Sequence, residues 1–234
     1  MTKKRKDAEK HGSDLLENPE ALAEQLSRTE KFLEKNKALV SIVGVVIAVV
    51  VLGFVFGRYY IDNQNKSAHA DMFQAVYYFE ADSLGLALNG DGNNYGLLEI
   101  IDQYPMTEAA NLANYYAGAT YLKLGDFDNA LKYLKDFSAS DYLIQSRAYL
   151  LTGDAYMELG KFSDAASYYE KAADNEENDQ FSPYYLIKAA IANEKSGSIK
   201  DALKNYQEIV SDYASSAVYQ DAIKHVARLE GSSK

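Results

Sequence analysis

Residues 118–130 read GATYLKLGDFDNA, and residues 153–165 read GDAYMELGKFSDA. Laid over one another, they share a leading glycine (Gly118, Gly153), a tyrosine (Tyr121, Tyr156), a central glycine (Gly125, Gly160) and a closing alanine (Ala130, Ala165). Residues 190–202, AIANEKSGSIKDA, put Ala190, Asn193, Gly197 and Ala202 in the same places. The central glycines stand 35 and 37 residues apart, and alanine follows each by five. A period of this length marks a supersecondary unit that is repeated.

Each spacing has a packing cause. The segments flanking the glycines are amphipathic, for example 112–124 and 129–137. Glycine between them can take φ > 0 and end the first helix. The small residue seven places earlier (Gly118, Gly153, Ala190) lets two antiparallel helices come close. Nine places after the second and third glycines come Tyr169 and Tyr206, with Leu134 in that place in the first unit. Tyrosines there fill the wedge between pairs and keep a hydroxyl near the surface. A lone helical hairpin cannot bury its apolar face, so the pairs must stack.

The pattern resembles the tetratricopeptide repeat. Gly118, Tyr121 and Ala130 match it, as do Gly153, Tyr156, Ala165, Tyr169 and Ala172; Asn114, Tyr149 and Leu186 stand at its tryptophan place, and its helix-ending proline is absent. The expected fold is all-α: an N-terminal transmembrane helix, then a tetratricopeptide-type helical-hairpin solenoid. Three clear repeats cover about 111–216. A degenerate repeat precedes them (a helix over 68–88, a Gly/Asn turn, a helix over 97–104). A helix over 216–230, through Val218, Ala222, Val226 and Leu229, caps the open end.

The chain has 234 residues, with 24 Lys+Arg, 34 Asp+Glu, three His, three Pro and 20 Tyr, and no Cys or Trp. Lacking cysteine, it has no disulfide, thiolate zinc site, iron–sulfur cluster or Cys nucleophile. Its net charge of -10 argues against nucleic acid, whose phosphates need Lys/Arg neutralisation.

Residues 38–57, ALVSIVGVVIAVVVLGFVFG, carry no charge. As a helix they span about 30 Å, the thickness of a bilayer's hydrocarbon core. Arg58, Tyr59 and Tyr60 follow as an interfacial anchor, and no A-x-A cleavage site does. Arg28, Lys31, Lys35 and Lys37 lie close before the span, against Arg58 and Lys66 after it. That asymmetry predicts a cytoplasmic N-terminus and an exported C-terminal part. Residues 58–234 carry 15 basic and 26 acidic side chains, a soluble anionic domain. Gly53 and Gly57 have the G-x-x-x-G spacing that lets transmembrane helices approach, so homo-oligomerisation through them is one reading.

The domains expected are a cytoplasmic leader over 1–37 (disordered over 1–17, helical over 19–37), the transmembrane helix over 38–57 and a juxtamembrane linker over 58–67. The repeat domain covers 68–230, and a tail 231–234. Asn18-Pro19-Glu20 reads as a helix start.

No catalytic, cofactor-binding or metal-binding set emerges, so no enzyme is expected. His11, His69 and His225 stand far apart, and the loop Asn89-Gly-Asp91-Gly-Asn93-Asn94 lacks the glycine and terminal acid of a calcium loop. Glu176-Glu177 reads as solvated surface. Nucleotide-binding and nucleophile-elbow motifs are missing. Stacked hairpins present a concave face built from the first helix of each pair. By repeat register Tyr115, Arg147, Leu150, Asp154, Tyr184 and Ile187 point there as candidate protein-binding residues; the alternative for each is a packing role. Tyr115, Ala119, Leu150 and Asp154 stand where a Lys/Asn clamp for chaperone C-termini would be needed, which argues against that ligand.

The layout also resembles the ancillary Sec-translocon subunit family of bacterial inner membranes. The stretches that carry the likeness are 18–37, Ala87-Leu-Asn-Gly-Asp-Gly92 and Ala113-Asn-Tyr-Tyr-Ala-Gly118. The resemblance implies a periplasmic scaffold near the translocon that works with a membrane-anchored prolyl-isomerase chaperone. Two other classes stay open: an envelope or cell-division coordinator that binds wall-synthesis proteins, and a self-assembling structural membrane protein.

Overall fold

The computed structural model describes residues 19–175 and 178–232, and the described residues form eleven α-helices with no strand. The expected disorder over 1–17, the Asn18 cap, His11 and the Glu176-Glu177 pair lie outside the described residues. The chain divides into two units, Met1–Tyr60 and Ile61–Lys234.

The first unit holds α1 (Pro19–Lys35) and the start of α2 (Lys37–Glu80). From Leu39 to Phe56 the large apolar side chains of α2 are exposed, save half-buried Val40. This helix is long and apolar enough to cross a membrane. The Arg58 guanidinium lies 6.0 Å from the Phe54 ring centroid. Residues 58–67, expected as a linker, are helical within α2.

In the second unit, Met72 and Ala75 of α2 are buried with Leu88, Leu97, Ile100, Ala113 and Ala117, and Ala68 is buried as well. The single helix expected over 68–88 is two. α2 stops at Glu80 and α3 (Leu84–Asn89) begins after a sharp turn. Asp82 takes φ +57°, its N–H bonds the Phe79 carbonyl (3.1 Å), and the Ser83 N–H bonds the Tyr78 carbonyl (2.8 Å). That is a left-handed helix end made without glycine; aspartate is among the few residues that visit this conformation. Lys123 pairs with its carboxylate at 2.5 Å.

The loop from Asn89 to α4 (Leu97–Gln103) folds around Asp91. The Asp91 carboxylate accepts from Asn93 N (2.8 Å), Asn94 N (2.7 Å), Asn94 Nδ2 (3.0 Å) and the Tyr78 hydroxyl (2.7 Å). With its oxygens turned to N–H and O–H donors, the loop is a turn between helices. Those hydrogen bonds, Tyr78 first, hold the Asp91 carboxyl well below its ordinary range.

Three hairpins follow: α5 (Glu108–Leu124) with α6 (Phe127–Asp136), α7 (Tyr142–Glu158) with α8 (Phe162–Asn175), and α9 (Ser182–Ser196) with α10 (Ile199–Asp212). α11 (Tyr219–Ser232) packs on α10. The first helices of the three hairpins end alike. Gly125, Gly160 and Gly197 have φ between +69° and +83°. Their N–H groups bond Leu122, Met157 and Glu194, and the next N–H in each case bonds Tyr121, Tyr156 or Asn193. These paired bonds satisfy the orphan carbonyls of the helix end.

The crossings are as tight as the small residues require. A Cβ added to Gly118 would lie 2.5 Å from Leu134 Cγ, and one added to Gly153 would lie 2.6 Å from Tyr169 Cε1. Tyr169 is fully buried and its hydroxyl is anchored, so the ring has no room to retreat. Ala130, Ala165 and Ala202, the repeated closing alanines, are each fully buried.

Overpacking of a filled core costs ~1–3 kcal/mol, of which a helix-interior Gly→Ala gain of up to ~1 kcal/mol recovers a part. Gly153→Ala should therefore lower the denaturant midpoint. Ala130→Leu, with no propensity gain, should lower it further, by the full ~1–3 kcal/mol. Equilibrium urea unfolding of the two variants checks this, and an unchanged midpoint for Ala130→Leu would contradict the crossing.

Candidate functional site

α7 begins at Asp141, whose carboxylate accepts from Leu143 N (2.9 Å) and Ile144 N (3.2 Å). Buried Gln145 accepts from Ala139 N at 2.7 Å and closes the preceding loop onto the helix. So fixed, α7 aligns Leu143, Arg147, Leu150 and Asp154 along one side, at i, i+4, i+7 and i+11. All four line a cleft of about 860 Å³.

The second wall is the start of α9. Asn178 Oδ1 accepts from Gln180 N (3.0 Å) and Phe181 N (2.7 Å), which folds residues 178–181 back before the helix. Phe181 and Tyr184 face the cleft and stay 39% and 46% exposed. The third wall is the turn 215–218 before α11. There the Ser216 N–H bonds Tyr213, but the buried Ser216 Oγ has no hydrogen-bond partner among the described residues.

The charges divide into committed and uncommitted groups. Asp154 Oδ1 accepts from Lys188 Nζ and from the Tyr169 hydroxyl, each at 2.7 Å. The Lys188 ammonium also lies 5.6 Å from the Tyr184 ring centroid. Arg147 is exposed, and among the described residues it has neither an ion pair nor a hydrogen bond. Asp179 lines the same cleft without pairing to it.

Of the six residues expected on the binding face, the structure gathers Arg147, Leu150, Asp154 and Tyr184 in this cleft. The other two lie outside it. Tyr115 packs on Tyr116 (5.5 Å between centroids) and Phe137 (5.4 Å), and Ile187 is half-buried against the core. Gly53 and Gly57 belong to the apolar part of α2, where an added Cβ would meet nothing within 4 Å. Sequence reasoning missed Leu143, Phe181 and the 215–218 turn. Leu143 could have been found, one turn before Arg147 on the same stripe. The turn could not: it lies about sixty residues further along the chain.

The carboxylate–tyrosine contact beneath the cleft recurs. Tyr206 donates to Glu194 Oε1 (2.8 Å) and Tyr104 to Asp71 Oδ2 (2.6 Å). Burial first, then the Asp154 charge, pushes the Tyr169 phenol far up; burial and Glu194 do the same to Tyr206. The hydrogen bond to Asp71 pushes Tyr104 up to about 12. Burial works to raise the Glu194 carboxyl, but the hydrogen bonds from Arg228 and Tyr206 outweigh it and hold the group low. Asn193, where the repeat expects tyrosine, is buried and donates to Glu170 Oε1 at 3.0 Å; Asn205 donates to the same oxygen at 2.9 Å.

Among the described residues no three His, Asp or Glu side chains gather as a metal site. His225 lies against Tyr206, with 4.6 Å between ring centroids.

Residues 115–184 match the tetratricopeptide repeat model. The match runs from Tyr115 in α5 to Tyr184 in α9, across the α5–α6 and α7–α8 hairpins. The chain thus contains tetratricopeptide repeats, modules whose general work is to bind other proteins. No curated protein matches the chain.

The raised tyrosines give a pH test. An unfolded tyrosine loses its proton near pH 10, whereas folded Tyr104 keeps it to about 12. Between those values the unfolded chain binds fewer protons than the fold, so stability falls as pH rises; below pH 10 the contribution is complete. The urea midpoint should drop from pH 10 to 12, and Tyr104→Phe should make that drop shallower by its own share, Tyr169 and Tyr206 keeping the rest.

Proposed function

We propose that this chain is a single-pass, membrane-anchored scaffold without catalytic activity, whose repeat domain holds protein partners in the cleft between α7, α9 and the 215–218 turn. The observation that carries this reading is the cleft itself: exposed apolar side chains around an arginine that has no pairing among the described residues, on a repeat whose general work is protein binding. The apolar stretch of α2 supplies the anchor. The excess of Lys and Arg before it supports a cytoplasmic N-terminus and an exported, periplasmic repeat domain in a bacterial inner membrane.

The resemblance to ancillary translocon subunits supports placing that domain beside the Sec channel. There it would hand emerging chains to, or hold in place, a membrane-anchored prolyl-isomerase chaperone.

Topology is tested with cysteines, since the chain has none of its own. Lys204→Cys should react with a membrane-impermeant maleimide on intact cells, and Lys31→Cys only after permeabilisation; the reverse pattern would overturn the orientation. Partners are tested by in-cell crosslinking of the full chain, affinity capture and mass spectrometry. The control carries Arg147→Ala and Tyr184→Ala together. Translocon subunits and an exported prolyl isomerase, lost in the control, are the expected result. Wall-synthesis or division proteins would move the assignment to an envelope coordinator. Self-crosslinks alone would point to assembly through Gly53 and Gly57 or the open end of the repeats.

A further inference from the structure

Resting on the reading of the cleft as the partner site, we propose its specificity: it takes a protein segment in which a carboxylate stands beside an aromatic or branched apolar side chain, and the carboxylate goes to the Arg147 guanidinium. Residues 58–234 have 26 acidic side chains for 15 basic ones, so an arginine there has carboxylates in excess to pair with. Arg228 does so, holding Glu194 at 2.5 Å. Lys188 is committed to Asp154 and Lys123 to Asp82. Arg147 alone among the arginines of this unit has no such contact among the described residues, and it points into a cleft.

The groups around it fit the same ligand. Asp154 is already neutralised by Lys188 and accepts the Tyr169 hydroxyl as well, so it does not compete strongly for Arg147. Leu143, Phe181 and Tyr184 leave between 39% and 50% of their surface open around the cleft. An apolar side chain beside the carboxylate would cover them. Arginine suits the role because its planar fork meets both oxygens of a carboxylate at once, and because a partly enclosed pair is screened less than one in open water. Asp179, the uncommitted acid in the cleft, opposes such a ligand and sets the sign of a second test.

The experiment uses the full chain in detergent and a fluorescein-labelled amidated peptide, Gly-Ser-Gly-Phe-Asp-Leu-Gly-Ser-Gly, with two counterparts bearing Asn or Lys in place of Asp. Binding is read by anisotropy at about 0.15 M salt. The Asp peptide should bind roughly tenfold more tightly than the Asn peptide, as a charge-assisted pair implies. Arg147→Gln should abolish that preference, Arg147→Glu should shift it to the Lys peptide, and Asp179→Asn should tighten the Asp peptide. Unchanged melting temperatures confirm that the variants fold.

Equal affinity for the Asp and Asn peptides overturns the inference. So does a preference that survives Arg147→Glu, or no binding of the Asp peptide up to about 1 mM. If crosslinked partners are still lost in the Arg147/Tyr184 control while the peptide preference is absent, the specificity fails and the scaffold reading stands. If no partner depends on these residues, the scaffold reading fails first.

Discussion

The repeat domain depends on the distance of closest approach between the two helices of each hairpin. At Gly118 and Gly153 the first helix has no side chain, and a leucine or a tyrosine of the second helix fills the space. A methyl group at either point would sit inside the van der Waals envelope of that partner, so the helix spacing is set by the missing atoms. Ala190 is fully buried at the corresponding place in the third hairpin. The other regular features follow from this. Hairpins with a common spacing stack with a common rotation, and only then do their first helices line up as the walls of one cleft.

Close approach creates a second constraint, which the tyrosines meet. A tyrosine pushed into the crossing fills volume that leucine would leave open, but it carries a hydroxyl inward. A buried hydroxyl without a partner is costly; Tyr169 meets Asp154 and Tyr206 meets Glu194, half-buried Tyr104 meets Asp71, and the hydroxyl of Tyr156 accepts from Lys135 instead. The carboxylates are then partly buried and need cations. Lys188 supplies one for Asp154, and Arg228 one for Glu194. The α10–α11 contact shows the same logic in a ring rather than a chain, because His225 lies flat on Tyr206 while Arg228 reaches past it to Glu194.

These relations were legible in the sequence to different depths. The left-handed helix ends at Gly125, Gly160 and Gly197 are local events, and glycine at a fixed period announces them. Gly118 and Gly153 were legible for the same reason. The break after Glu80 was not, because Asp82 makes a glycine-type turn without glycine, and nothing in its neighbours distinguishes it from a helical aspartate. Asn193 looked like a lost tyrosine. Its substitute contact is with Glu170, 23 residues earlier on the neighbouring hairpin, and a register argument within one repeat does not reach that far. The same limit governs the cleft. Repeat register found the α7 stripe and Tyr184, but it set Tyr115 and Ile187 beside them, where the structure packs both against other side chains. The 215–218 wall comes from the turn after the last full hairpin, where the period has already ended.

The cleft differs from the crossings beneath it in one respect that separates function from folding. In the crossings the Tyr169 and Tyr206 hydroxyls meet carboxylates, and those carboxylates, Asp154 and Glu194, each meet a cation, as a stable interior requires. At the rim of the cleft Arg147 has no ion pair or hydrogen bond among the described residues, and three large apolar side chains stay open to solvent. A fold that resolves its polar contacts so thoroughly one layer down has the means to resolve these too; an aspartate four residues from Arg147 on α7 would pair with it at little cost. The groups left open are of complementary kinds (a cation and an apolar surface), and they are the ones that the proposed partner segment would cover.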